Sequence, residues 1–395
     1  MKLRDVVVIG AGPVGSYIAY LLADAGYGVV VLEQRERVGE QVCCTGVIGQ
    51  ECASLLGIDG NVILRQVKSA RLFSPSGKCL RLRRQETQAY VIDRAAFDVA
   101  LAARAQSKAA DFVLSSAVRN IEVEGDRVRV EVAREGKKLN FEARAVVVAT
   151  GYGSRLVEGL GLGGVGDFAV GAQAEVETRG VDEIEVFFGQ EVVPGFFGWI
   201  VPTSPNRALV GLLTRQRPGH YLRKLMASLL VQGRVVSTEA ELSYGGVPLK
   251  PLPRTYGERL VVVGDAGGQV KPTTGGGIYF GLLCAGIAAN TLCRALETND
   301  LSARALASYE RKWKRKLGRE LRLGYWARRL YGRLSDKQID KIFGIVRSSG
   351  IDEALLKAEE LSFDWHSEAM LRLMGYTAVS RTLKMMKPSS YLTNR

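Results

Sequence analysis

The sequence predicts an α/β protein: a parallel sheet wound with helices, an inserted antiparallel sheet, and a helical C-terminal region. Three observations predict it. Residues 5–33 run strand, glycine turn, helix, strand and acid in that order. Residues 166–248 change to short half-buried strands separated by Gly and Pro. From Ala303 onward the pattern is helical, charged and aromatic, with no strand of comparable strength.

Residues 6–9 form a continuous apolar run, as expected of a strand buried on both faces of a parallel sheet. Gly10, Gly12 and Gly15 follow in G-x-G-x-x-G spacing. The first allows a tight turn, the second lets backbone approach a pyrophosphate, and the third lets a helix pack on the strand. The helix predicted over residues 13–25 aims free N–H groups and a positive dipole end at the phosphates. A second apolar strand, Val29–Leu32, ends in Glu33, whose carboxylate suits both ribose hydroxyls of an adenosine. The complete order of parts favours a dinucleotide site over a merely structural glycine turn.

Residues 67–82 alternate around a Ser74-Pro75-Ser76-Gly77 turn and read as two antiparallel strands. An alanine-rich helix, opened by Arg94, runs to about Ala110. Strands are predicted at 111–115, 118–124 and 128–134, the last two joined at Gly125-Asp126. Residues 145–149 form a buried strand ending in Thr150-Gly151. The inserted sheet takes strands at 169–176, 183–188, 197–201 and 208–213. A strand at 259–264, a glycine-rich loop and the helix Ile278–Glu297 then return to the first domain. The predicted division is a dinucleotide domain at 1–65, 90–165 and 255–300, an inserted β-sheet substrate domain at 66–89 and 166–254, and a helical region at 301–395.

Apolar residues make up 47% of the chain and charged residues 24%, as in ordinary globular proteins. Six cysteines show no C-x-x-C pair, which points to a reducing cytosol. With only His220 and His366, neither a histidine-centred mechanism nor a zinc site is expected. The first strand begins almost at once, so no signal peptide is expected, and no apolar run reaches membrane-spanning length. The net charge is +13, and residues 301–395 carry 20 Lys+Arg against 10 Asp+Glu, so +10 lies there. Such an excess serves nucleic acid, anionic lipid or acidic ligands, or is a solvated helical surface.

Three separated segments converge on one ligand if the fold is of this kind. Besides the opening turn and Ala149-Thr150-Gly151, they include Gly264-Asp265 after a strand and Gly275-Gly276-Gly277 before a helix. An aspartate there suits a sugar or ribityl hydroxyl, and glycines opening a helix place N–H groups against an anionic group. A plain glycine-rich connection explains the turn but not the Gly-Asp pair.

G-x-G-x-x-G, residues 93–98, A-T-G at 149–151 and G-D-A-x-G at 264–268 resemble the FAD-binding set of hydroxybenzoate-hydroxylase-type flavoproteins. Within that superfamily the chain most resembles the geranylgeranyl reductases, which saturate prenyl chains of lipids, chlorophyll or quinones. Cys44-Thr45-Gly46-Val47-Ile48 is similar to that family's Cys-Gly-x-x-Ile loop beside the flavin. Pro194-x-x-Phe197-x-Trp199-x-Val201-Pro202 is similar to its P-x-x-Y-x-W-x-F-P substrate motif. Thr45, Phe197 and Val201 depart from those patterns.

The resemblance implies a Rossmann-type FAD-binding domain. It implies FAD contacts at Gly15, Glu33, Cys44, Thr45, Arg94, Val118, Asp265, Gly277 and Ile278, with Gly10, Gly12, Gly151 and Gly276 completing the glycine cradle. Phe197, Trp199 and Pro202 would meet the prenyl substrate. Reduced flavin would deliver hydride from N5, and Cys44, Tyr279 or water the proton, with Cys44 taken as the catalytic residue. NADPH, ferredoxin or another reductant would supply electrons. Two other readings on this fold are a flavin monooxygenase and an electron-transfer flavoprotein to quinone. No nucleic-acid partner is expected. A cytoplasmic enzyme docking on anionic membrane is expected from Arg311, Lys312, Lys314, Arg315 and Lys316, interleaved with Trp313, Leu317 and Leu321.

Overall fold

The computed structural model describes residues 3–40, 42–348 and 362–367. The rest of the predicted C-terminal region lies outside the described residues. In chain order the elements are β1 (Arg4–Ile9), α1 (Pro13–Asp24), β2 (Val29–Leu32), β3 (Val47–Gly49), α2 (Gln50–Leu56), β4 (Ile63–Val67), β5 (Ser69–Phe73), β6 (Cys79–Arg83), β7 (Ala89–Ile92), α3 (Arg94–Gln106), β8 (Asp111–Val113), β9 (Ala117–Glu124), β10 (Arg127–Arg134), β11 (Lys137–Val148) and α4 (Arg155–Gly159). They continue with β12 (Phe168–Glu177), β13 (Ile184–Phe188), β14 (Phe197–Ser204), β15 (Arg207–Thr214), α5 (Pro218–Val231), β16 (Ser243–Pro248), β17 (Tyr256–Gly257), β18 (Leu260–Val262), α6 (Ile278–Glu297), α7 (Ala303–Tyr331) and α8 (Asp336–Ser348).

The chain divides into two compact units. Unit 1 comprises residues 1–64, 92–169 and 245–325. Its sheet runs β17-β18-β11-β1-β2-β8, with all neighbours parallel except the antiparallel edge strand β17. Strand β11 is much longer than the five residues expected. Its first half pairs antiparallel with β10, and its second half enters the parallel sheet beside β1 and β18. Val6, Val7, Val8, Val29, Val31 and Val146 to Val148 are fully buried, which is why these strands read as unbroken apolar runs. The parallel strands all bring their C-terminal ends to one edge of the sheet, where open α/β sheets bind ligands.

Unit 2 comprises residues 65–91, 170–244 and 326–395. It is built on a sheet ordered β16-β12-β15-β14-β13-β5-β6. One helix there escaped the sequence reading. In α5, Leu222, Leu225, Met226 and Leu229 are buried at helical spacing after Pro218 in the first turn. That periodicity was readable, but it lies within a run of strands.

Candidate functional site

The turn between β1 and α1 shows what each glycine does. Gly10 has φ +103°, and a Cβ there would lie 2.5 Å from the Ala149 carbonyl oxygen. A Cβ on Gly15 would lie 1.9 Å from the Gly10 oxygen, so only glycine lets α1 sit this close to the strand. Gly12 is different: nothing lies within 4 Å of a Cβ built on it. Gly12 is also the N-cap of α1, with no side-chain cap and no acid in the first turn. The helix therefore presents uncapped N–H groups beside open space.

Glu33, at the end of β2, accepts the Ala11 N–H at 2.8 Å and the Arg35 N–H at 2.9 Å. The carboxylate thus ties the glycine turn to the second strand. It accepts about four hydrogen bonds in all, so sites remain for a ligand. Gly10, Glu33 and Val118 line one cavity of about 540 Å³, together with Thr150, Tyr152 and Arg155. Gly151, with φ +72°, follows Thr150 and has open space on its Cβ side. The Thr150 hydroxyl is buried and meets no partner among the described residues. Tyr152 and Arg155 carried no sequence signal, because neither belongs to a glycine or acid motif.

A second polar cluster gathers the remaining predicted residues. Asp93 caps α3 by accepting the Ala96 N–H at 3.0 Å, which sets Arg94 as the first helical residue. Arg94 pairs with Asp98, one turn on, at 2.9 Å and bonds the Cys44 side chain. Burial opposes the Arg94 charge, but Cys44 and Asp98 more than offset it and hold the guanidinium above its ordinary pKa. Its Nε is buried without an acceptor among the described residues. Cys44 Sγ also accepts the Gly46 N–H at 3.4 Å. Burial pushes the Asp265 carboxyl up to about 6 against the pull of Arg94. A Cβ on Gly277 would lie 2.4 Å from the Asp265 carboxylate, so glycine there keeps room for it. Gly276 lies against Lys271, and Ile278 begins α6. Thr45 is half-buried between Cys44 and Gly46.

The three aromatic-motif residues fall in unit 2. Phe197 and Trp199 share one face of β14, their rings 5.8 Å apart, and Trp199 covers Gly211 on β15. Both are half-buried, whereas Pro202 is buried next to a bulge. The Trp199 indole N–H is buried and unsatisfied among the described residues. Gly198, on the opposite face, packs against Leu225 of α5.

Helix α7 corrects the membrane expectation in one respect. Trp313, Leu317 and Leu321, the apolar stripe expected to enter lipid, are all buried. The Trp313 indole donates to Thr255 at 2.9 Å within unit 1. Of the large apolar side chains on α7, only Trp326 is strongly exposed, at 63%. Among the described residues α6 alone is long and apolar enough to cross a membrane, and two thirds of that stretch is buried in the protein.

A family model described as lycopene cyclase protein matches residues 5–325. Digeranylgeranylglycerophospholipid reductase of Methanocaldococcus jannaschii is 33% identical over 361 residues, covering 88% of this chain and 92% of that one. The enzyme of the same name from Methanothrix thermoacetophila is 31% identical over 370 residues, covering 89% and 94%. A Thermoplasma acidophilum crystal structure described as geranylgeranyl bacteriochlorophyll reductase-like superposes with a TM-score of 0.85 at 24% identity. It covers 98% of this chain and 100% of its own, and at that identity the likeness shows the fold.

Proposed function

The chain belongs to the geranylgeranyl reductase family, and we propose that it uses FAD to saturate carbon–carbon double bonds in geranylgeranyl chains of a phospholipid. The observation that carries this reading is the 33% identity, over 361 residues, to a reductase named for that reaction. Unit 1 fits the cofactor on its own physical terms. Gly12 and the uncapped start of α1 would hold the pyrophosphate, and Glu33 with the cavity reaching Val118 would hold the adenosine. The unsatisfied Arg94 Nε, the unsatisfied Thr150 hydroxyl and the Asp265 carboxylate are polar groups that such a ligand would complete. FAD, when bound, supplies the hydride. The chain's own residues bind it, orient it and provide the proton, for which we assign Cys44, fixed by the Gly46 N–H and Arg94. NADPH, ferredoxin or another reductant would deliver the electrons. Phe197 and Trp199 form the apolar wall for the isoprenoid.

Reoxidation of the bound flavin tests this. The FAD-loaded protein is reduced with dithionite under anaerobic conditions and mixed with a geranylgeranyl phospholipid. The absorbance of oxidised flavin should return, and a fully saturated lipid should leave it bleached. Reoxidation by dioxygen alone, with hydroxylated lipid as product, would favour a monooxygenase. Trp199→Ala should slow reoxidation by the lipid at least tenfold while FAD binding is kept; equal loss of both would make Trp199 ordinary core.

A further inference from the structure

The FAD reading leaves one side of α7 unused. Within unit 1, Arg311, Arg315, Arg319 and Arg322 recur on this helix at steps of four, four and three residues. At 3.6 residues per turn they fall within an arc of about 80° and run for about 16 Å along the axis. All four are exposed. Leu306, Tyr309, Trp313 and Leu317 are centred on the opposite side of the helix and are wholly buried. That buried side fixes the rotation of α7, so the arginine row faces away from the core of unit 1.

No acid interrupts the row. Helix α7 carries only Glu310 and Glu320. The Glu310 carboxylate accepts the Thr255 N–H at 2.8 Å and the Lys314 ammonium at 2.7 Å, and Glu320 is buried. Among the described residues no ion pair or side-chain hydrogen bond engages any of the four arginines. Like charges at i,i+4 repel one another and weaken a helix. An anionic surface lying along the row would turn that repulsion into attraction. With its apolar side committed to the core, α7 has charge alone to offer such a surface.

We propose that Arg311, Arg315, Arg319 and Arg322 dock the protein on an anionic lipid bilayer, by contact with headgroup phosphates and without insertion of an apolar helix side. Guanidinium groups match phosphate oxygens two at a time, and a straight row suits a planar array of headgroups. The mode differs from the one the sequence suggested, in which Trp313 and Leu317 entered the lipid. The anionic partner follows from the row itself. Its being a bilayer rests on the reductase reading, whose substrate is a phospholipid.

Co-sedimentation of the FAD-loaded full chain with vesicles tests it. One set is phosphatidylcholine alone, and the other is phosphatidylcholine mixed equally with phosphatidylglycerol. The protein should sediment with the second set only, and should come off again at about 0.5 M salt, where screening is nearly complete. Each cation near such a surface is worth roughly fivefold in affinity. Arg311→Gln/Arg315→Gln/Arg319→Gln/Arg322→Gln should therefore bind about a hundredfold or more weakly, at an unchanged melting temperature. The corresponding quadruple lysine variant keeps the charge and should keep most of the binding, which a folding defect would not allow. Lys108, Arg127, Lys137 and Lys138 are exposed on other elements. Changing those four to glutamine removes the same net charge and should weaken binding far less. Equal binding to both vesicle sets at low salt, or equal loss in the two glutamine variants, overturns the proposal. Protein retained on the vesicles at high salt overturns docking by charge alone. Release from anionic vesicles by RNA at equal phosphate concentration overturns the lipid assignment. Turnover of detergent-dispersed geranylgeranyl phospholipid should be the same in wild type and the α7 glutamine variant. Arginine-dependent docking with no turnover in either form would instead sink the reductase reading.

Discussion

Asp265 is a carboxylate held in a place that disfavours its charge. Burial raises its pKa from the ordinary carboxylate range to about 6. An acid whose folded pKa lies above its unfolded value stabilises the fold in its protonated form. That contribution is complete below the unfolded pKa, near 4, and is lost as pH rises through about 6. In the flavin-free protein, the stability of wild type relative to Asp265→Asn should fall across this window, by roughly 1–3 kcal/mol. Urea unfolding at pH 4 and pH 7 reads it, and a difference that rises with pH would contradict the burial argument. Glu33 allows a second test. Glu33→Ala leaves the Ala11 and Arg35 N–H groups without their acceptor. The flavin-free protein should lose about 1–3 kcal/mol, and FAD affinity should fall with it. FAD affinity lost at unchanged stability would assign Glu33 to the ribose alone. The glycines and Glu33 were legible because a tight turn and a close approach restrict residue type. The bonds from Glu33 to the turn were not, since nothing in the chain order distinguishes an internal acceptor from a ligand's.

At the scale of elements, α7 shows how one pattern supports two outcomes. Leucines and tryptophan at helical spacing among cations describe an amphipathic face, whatever covers it. Here the cover is protein, with Tyr309, Trp313 and Leu317 wholly buried. Tyr309 donates to the Val262 carbonyl at 2.9 Å and accepts from the buried Gln269 amide at 2.7 Å, tying α7 to the loop after β18. Trp313→Ala should therefore cost about 3–5 kcal/mol and lower the melting temperature steeply. An unchanged melting temperature accompanied by lost liposome binding would restore the lipid-facing role. Strands β1 and β2 were readable for the opposite reason: a run buried on both faces has no polar side to misassign. Helix α5 was hidden among strands, and the length of β11 was hidden because its two halves obey different pairing rules.

At the scale of the molecule, unit 1 holds the glycine turn, Glu33 and Asp265, and unit 2 holds the aromatic strand β14. The fold class was legible from the interruption of an α/β pattern by an antiparallel one. The meeting of Arg215 with Arg328, Arg329 and Arg333 around one recess of unit 2 was not, because Arg215 lies far from the other three in sequence and reaches them only through β15 and the end of α7. The central claim is that this chain adds hydrogen to prenyl double bonds. Mass spectrometry of a geranylgeranyl phospholipid incubated anaerobically with the dithionite-reduced, FAD-loaded protein tests it most directly. The predicted result is a ladder of products, each heavier than the last by two hydrogen atoms, absent when FAD is removed. A lipid recovered at its original mass, with FAD bound and reduced, would contradict it.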